Sequence, residues 1–135
     1  MLANLNKIEK HINSELTSKV QNSIIENSEL LIEIDDKDLI EVVQFLKSDE
    51  NLRFRQLIDI AGVDYPDQEK RFQLVYLFLS HEKNIRVKLS IRFDSKQIVS
   101  SITKIFPSAN WMEREVFDMY GIKFKNHPDL RRILT

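Results

Sequence analysis

Apolar residues recur along this chain in two periods, and the alternation between them divides it into elements. Leu5, Ile8, Ile12 and Leu16 fall three to four residues apart, which predicts an amphipathic first helix. Val20 to Ile25 and Leu30 to Ile34 then read as two strands around the polar turn Glu26-Asn27-Ser28. The acids Asp35, Asp36 and Asp38 open the next helix, where carboxylates offset the orphan amides and the positive end of the dipole. Its apolar face is Leu39, Val42, Val43 and Leu46. Phe54 to Val63 satisfies both periods, so strand and short helix stay open there until Pro66 closes the segment. Arg71 to Leu79 is apolar on both faces, as a central strand should be. Ile85 to Phe93 alternates, with Arg86, Lys88, Ser90 and Arg92 opposite its apolar side, and Ser80-His81-Glu82-Lys83-Asn84 joins this pair as a hairpin.

The last third is less regular. Asp94 with Gln97 has the form of a capping box for a helix carrying Ile98, Ile102, Ile105 and Phe106, which Pro107 stops. From Asn110 to Tyr120, Met112, Val116, Phe117, Met119 and Tyr120 share one helical sector, and Gly121 suits a left-handed C-cap. The fold class that follows is α+β: helices packed on a mostly antiparallel β-sheet, with a C-terminal helix and an extended tail. Residues 1–120 read as one domain and residues 121–135 as a basic tail.

Composition narrows the function classes. A chain of 135 residues, 42% hydrophobic and 30% charged, can support a single globular core. It has no cysteine, which excludes disulfides, thiolate nucleophiles and any cysteine-ligated cluster within it. The longest apolar run, Leu74 to Leu79, is six residues, against the ~20 of a membrane span. The start lacks an apolar signal core, so a soluble protein of a reducing compartment is expected. The formal net charge of −1 hides a gradient. Residues 1–50 hold five lysines against eleven acids, whereas Lys123, Lys125, Arg131 and Arg132 face only Asp129 in the last fifteen residues.

Glu113 is the candidate residue that stands out, because its wheel position lies within the apolar sector of its helix. A buried carboxylate needs a cation or a set of donors. Two readings stay open: a capping box with Asn110 as N-cap, or a pair with an arginine, either Arg131, Arg132 or one on another protein. Arg114 and Asp118 are four apart on the opposite side and read as a surface pair. His127 precedes Pro128 and fixes a bend. An acid–base cluster of Glu113, Glu115, Asp118 and His127 is disfavoured, since residues two apart on a helix point to different sides. The histidines His11, His81 and His127 are too scattered for a metal site and read as lone surface residues. Arg86, Lys88 and Arg92 with Arg71 nearby form a basic stripe, which leaves a nucleic-acid-binding module as the alternative function.

Trp111-Met112-Glu113-Arg114-Glu115-Val116-Phe117-Asp118-Met119-Tyr120-Gly121-Ile122, followed by His127-Pro128-Asp129-Leu130-Arg131-Arg132-Ile133-Leu134-Thr135, resembles the 30 kDa subunit family of the proton-pumping NADH–quinone oxidoreductases, respiratory complex I. The family's Glu-Arg-Glu helix with an acid three residues on, then a spaced His and Arg, is filled here by Glu113, Arg114, Glu115, Asp118, His127 and Arg131. Val63-Asp64-Tyr65-Pro66, Arg71-Phe72, Val75-Tyr76 and Phe106-Pro107-Ser108-Ala109-Asn110 also look like its pattern, so the likeness covers roughly residues 54–135.

The resemblance implies a structural, non-catalytic component of the hydrophilic arm, facing the bacterial cytoplasm or the mitochondrial matrix. Its partner would be the quinone-site member of the complex (D in the enzyme's lettering), with contacts near the cluster-bearing members (B and I). It implies no cofactor in this chain, FMN and the iron–sulfur clusters lying in other members. Glu113, Arg114, Glu115, Asp118, His127, Arg131 and Arg132 become partner-interface residues. Family members continue past Arg131-Arg132-Ile133-Leu134-Thr135 into a longer tail along their neighbours, which implies that the partner-binding arm here is incomplete.

Overall fold

Leu5, Ile8, Ile12 and Leu16 are all buried, the first three inside helix α1 (Leu2–Glu15). The structure is a computed structural model and describes residues 2–128. Strands β1 (Val20–Glu26) and β2 (Glu29–Ile34) form an antiparallel hairpin. Asn27 and Ser28 between them both take positive φ, 52° and 63°, the geometry that lets a two-residue turn follow the strand twist. The acids after β2 make a short 3-10 turn (Asp36–Asp38) and helix α2 starts only at Leu39, running to Ser48. Its four expected apolar residues are buried.

The ambiguous segment is strand β3 (Gln56–Asp64). A register irregularity between Leu57 and Asp59 puts Leu57 and Ile60, three residues apart, both into the core. That bulge is why the sequence also fits a helical period. Strands β4 (Phe72–Ser80) and β5 (Ile85–Phe93) pair along their full length. The sheet order is β1-β2-β5-β4-β3, with β2 and β5 parallel and every other pair antiparallel. Leu30, Val87 and Phe78 share one row across it, and Ile32, Leu89 and Tyr76 the next. These rows are the floor on which the helices' apolar faces bury.

The helix expected over Ile98 to Phe106 does not form. Its capping contacts do: the Asp94 amide donates to Gln97 Oε1 at 2.7 Å, and the Lys96 amide to Asp94 Oδ1 at 2.8 Å. The turn then ends, because the following amides have better partners in the tail. Val99 and Ser101 donate to the carbonyls of Lys123 and Lys125 at 3.0 and 2.9 Å. The result is a short parallel pair of β6 (Val99–Ser100) with β7 (Phe124–Lys125). Local capping signals stabilise one turn, and tertiary pairing decides what comes next. Ile102, Ile105 and Phe106 are buried nonetheless. Phe106 packs on Phe78 with ring centroids 5.3 Å apart, and the Lys47 ammonium donates to the Ile105 carbonyl at 2.6 Å.

Helix α3 (Ala109–Tyr120) lies against β3. Gly62 is the reason it can come so close. A Cβ there would sit 2.5 Å from the Tyr120 ring, whose hydroxyl donates to the Gly62 carbonyl at 2.9 Å. The tail placed from residue 121 is not separate over its described part. Ile122, Phe124 and His127 are buried, so packing continues past the expected domain boundary. Residues 129–135 lie outside the described residues.

Candidate functional site

Helix α3 carries Glu113, Arg114, Glu115 and Asp118. Its first residue is Ala109, with Ser108 at the N-cap, which puts Asn110 and Glu113 inside the helix rather than at N-cap and N3. The capping-box reading of Glu113 is thereby overturned. Gly121 ends the helix as expected, at φ 73° with its amide donated to the Phe117 carbonyl at 2.8 Å. At ~100° per residue the helix has two arcs. Met112, Val116, Tyr120, Glu113 and Phe117 are buried or half-buried on one; Arg114, Asp118, Trp111, Glu115 and Met119 are exposed on the other. Met119, expected in the apolar sector, stands at its edge and is 74% exposed.

Glu113 is completely buried, and a set of donors meets it. The Ser101 hydroxyl donates to Oε1 at 2.6 Å and the Ile102 amide to Oε2 at 2.9 Å. His127 Nε2 lies 3.9 Å from Oε1 and donates to the Asn110 carbonyl at 2.9 Å. That carbonyl can only accept, so Nε2 carries a proton. The Ser101 oxygen accepts in turn from the Thr103 amide at 3.2 Å, which fixes the loop around the carboxylate. One carboxylate therefore joins the loop after β6, the body of α3 and the segment after β7. Burial raises the Glu113 pKa, and the Ser101 and Ile102 hydrogen bonds and His127 oppose that rise. Tyr76, wholly buried nearby, has its phenol pushed up by burial and by the Glu113 charge.

The sequence-based expectations sort out unevenly on this geometry. Glu113 and His127 are brought together, and His127 is buried rather than at the surface. Arg131 and Arg132 lie outside the described residues. Arg114, Glu115 and Asp118 form no ion pair among the described residues, including the expected Arg114–Asp118 pair. Glu115 and Asp118 face away from Glu113 and His127, so the acid–base cluster is not assembled. The basic stripe is largely occupied locally. Arg71 makes a two-pronged pair with Asp64 at 2.7 and 2.9 Å, Lys88 meets Glu29 at 3.5 Å, and Arg92 stacks on Tyr65 at 4.3 Å. Among the described residues no three His, Asp or Glu side chains converge as metal ligands. A groove of about 500 Å³ beside the junction is lined by Thr103, Lys104, Pro107, Asn110, Asn126 and Pro128, and none of these is an acid.

Two residues of the site escape sequence reasoning. Ser101 carries no signal, because its role depends on a loop folding back on a helix. Trp111 does carry one: its wheel position is opposite Tyr120, in the middle of the polar arc, and it is 67% exposed.

Known proteins resemble the chain over most of its length. The family model of the respiratory-chain NADH dehydrogenase 30 kDa subunit matches residues 32–135. Relatives named as a subunit of NADH-quinone oxidoreductase are similar: that of Mesorhizobium japonicum is 42% identical over the whole chain, which covers 67% of the relative. That of Ruegeria pomeroyi is 52% identical over 107 residues, covering 79% of this chain and 54% of the relative. The chain thus spans about two thirds of its curated relatives or less. Among solved structures, the trypsin-resistant fragment of Nqo5 superposes with a TM-score of 0.76 at 25% identity, covering 94% of this chain and 99% of that one. A chain of the membrane-bound sulfane sulfur reductase, an archaeal respiratory membrane complex, shares the fold at a TM-score of 0.79 and 22% identity, over 90% of this chain and 71% of that one. The chain belongs to the 30 kDa subunit family of the respiratory-chain NADH dehydrogenases.

Proposed function

We propose that this chain is a structural, non-catalytic subunit of the hydrophilic arm of a proton-translocating NADH–quinone oxidoreductase. In this reading it docks against the quinone-site subunit, with contacts near the cluster-bearing subunits, at the cytoplasmic face of the bacterial inner membrane or the matrix side in mitochondria. The whole assembly passes electrons from NADH through FMN and iron–sulfur clusters in other subunits to quinone. This chain has no cysteine to ligate a cluster, which agrees with that division of labour.

One observation carries the reading: the described signature residues, Glu113, Arg114, Glu115, Asp118 and His127, do not converge on a cleft. Glu113 and His127 face inward and hold the chain's own C-terminal segment, while Arg114, Glu115 and Asp118 face outward. Such a division suits a subunit that orders one surface in order to present another. Arg131 and Arg132 would be forked donors for carboxylates of the partner. The nucleic-acid alternative is disfavoured by the local pairing of Arg71 and Lys88 and the stacking of Arg92.

The test is genetic and biochemical together. Membranes from cells lacking the full-length protein should lose NADH–quinone reductase activity and regain it when the protein is restored. The protein should co-purify with the quinone-site subunit, less so when residues 129–135, which follow the packed segment, are removed. Undiminished respiration in its absence would overturn the reading, as would NADH turnover by the isolated chain for its non-catalytic part.

A further inference from the structure

We infer that the outward arc of α3 is a docking surface for a cationic protein surface on a neighbouring subunit, with Trp111 as its central apolar contact. The inference rests on the reading of the chain as a subunit of a larger assembly, and adds to it a surface and the chemistry of what covers it. Folding does not explain Trp111. The opposite arc of the helix already supplies the buried side with Val116 and the half-buried Met112, Phe117 and Tyr120. The indole stands in the middle of the solvent arc, at 67% exposure.

An indole has about 200 Å² to bury, and exposed Trp is the residue type that most often carries a disproportionate share of an interface. Asp118 lies ~20° from Trp111 on one side of the helix wheel and Glu115 ~40° on the other, one to two turns toward the C-terminus. Neither carboxylate has an ion pair among the described residues. Met119 extends the apolar surface at one margin and Arg114 forms the other, so the arc holds two carboxylates against one guanidinium. The complementary surface is an apolar cleft for the indole with Arg or Lys side chains beside it. A second copy fits less well, because a symmetric pairing would bring four carboxylates against two guanidiniums.

The experiment uses the full-length protein in the purified complex. A photo-reactive benzoylphenylalanine at position 111 is irradiated, and the adduct is mapped by mass spectrometry. The expected adduct joins position 111 to a Lys- or Arg-containing segment of another subunit. Glu115→Arg with Asp118→Arg should lower recovery of the protein in the complex on the order of tenfold while leaving its own melting temperature unchanged. An adduct only to residues 129–135 of the same chain, an adduct to a second copy, or no adduct from a protein that is present in the complex would each overturn the surface assignment alone. Absence of the unsubstituted protein from the complex would instead overturn the function proposed above, and this surface with it.

Discussion

The stretch from α1 to the end of β5 and the stretch from Asp94 to Pro128 share one apolar core but differ in what fixes their arrangement. In the first, the strands run six to nine residues and the buried positions form continuous apolar rows across β2, β5, β4 and β3. In the second, the two strands have two residues each, and a buried carboxylate gathers the loop, the helix and the tail. Apolar packing fixes what is inside but tolerates rearrangement, whereas a buried polar junction is satisfied only in one arrangement of its donors. The first stretch thus makes a stable platform, and the second gives the chain's end a defined direction.

Removing Phe78 should have the largest effect and test the first half of this contrast. It is wholly buried in β4, stacked beside Tyr76 and packed on Phe106 from the second stretch. Phe78→Ala should cost about 3–5 kcal/mol in denaturant unfolding, with both stretches lost in one transition. Melting of only the last third would show that the platform is less cooperative than its rows imply.

Glu113→Ala comes next and bears on the second stretch. It strands the Ser101 hydroxyl and the Ile102 amide in a dry site, at roughly 2–4 kcal/mol. The damage should be local. Amide exchange should quicken at Val99, Ser101 and Ile102 while β4 and β5 keep their protection. Equal acceleration throughout would remove the distinction between the two stretches. Gly62→Ala probes the contact between them: an added methyl meets the Tyr120 ring, so about 1–3 kcal/mol should be lost. Tyr120→Ala in the same chain should make the Gly62 substitution nearly silent, because the clashing atoms are gone.

The same contrast explains what is legible in the sequence. The α+β class, α1, the central strands, the apolar face of α2 and the Gly121 cap all follow from spacing, because these residues are placed by burial. Glu113 is identifiable as a buried acid from its wheel position, but its partners are not. Ser101 and Ile102 lie in a segment whose capping box, Asp94 with Gln97, points to a helix, and no local signal reveals that Lys123 and Lys125 offer their carbonyls to it. His127 before Pro128 looks like a bend at the surface, and only the return of the tail buries it. Long-range polar pairing leaves no period in a sequence, so the junction is visible only in three dimensions.

The gentlest prediction separates charge from shape at the junction. Glu113→Gln keeps the volume and can still accept from the Ile102 amide while donating to the Ser101 oxygen, so the fold should persist. Burial raises the folded-state pKa of Glu113 above its ordinary value of 4.5, so the native state holds this proton more tightly than the unfolded chain does. The stability this adds is complete below the unfolded value and is lost as pH rises through the folded one. Wild type should therefore lose stability relative to Glu113→Gln as pH is raised from below 4.5 toward neutrality. Other acids with shifted values, such as Asp36 and Asp64, are common to both proteins and cancel in the difference. A difference that grows with pH in favour of wild type would mean that the Ser101, Ile102 and His127 contacts outweigh burial. Glu113 would then be ionised in the folded state, and the C-terminal third would be held by charge-assisted hydrogen bonds to a carboxylate rather than by bonds to a neutral acid.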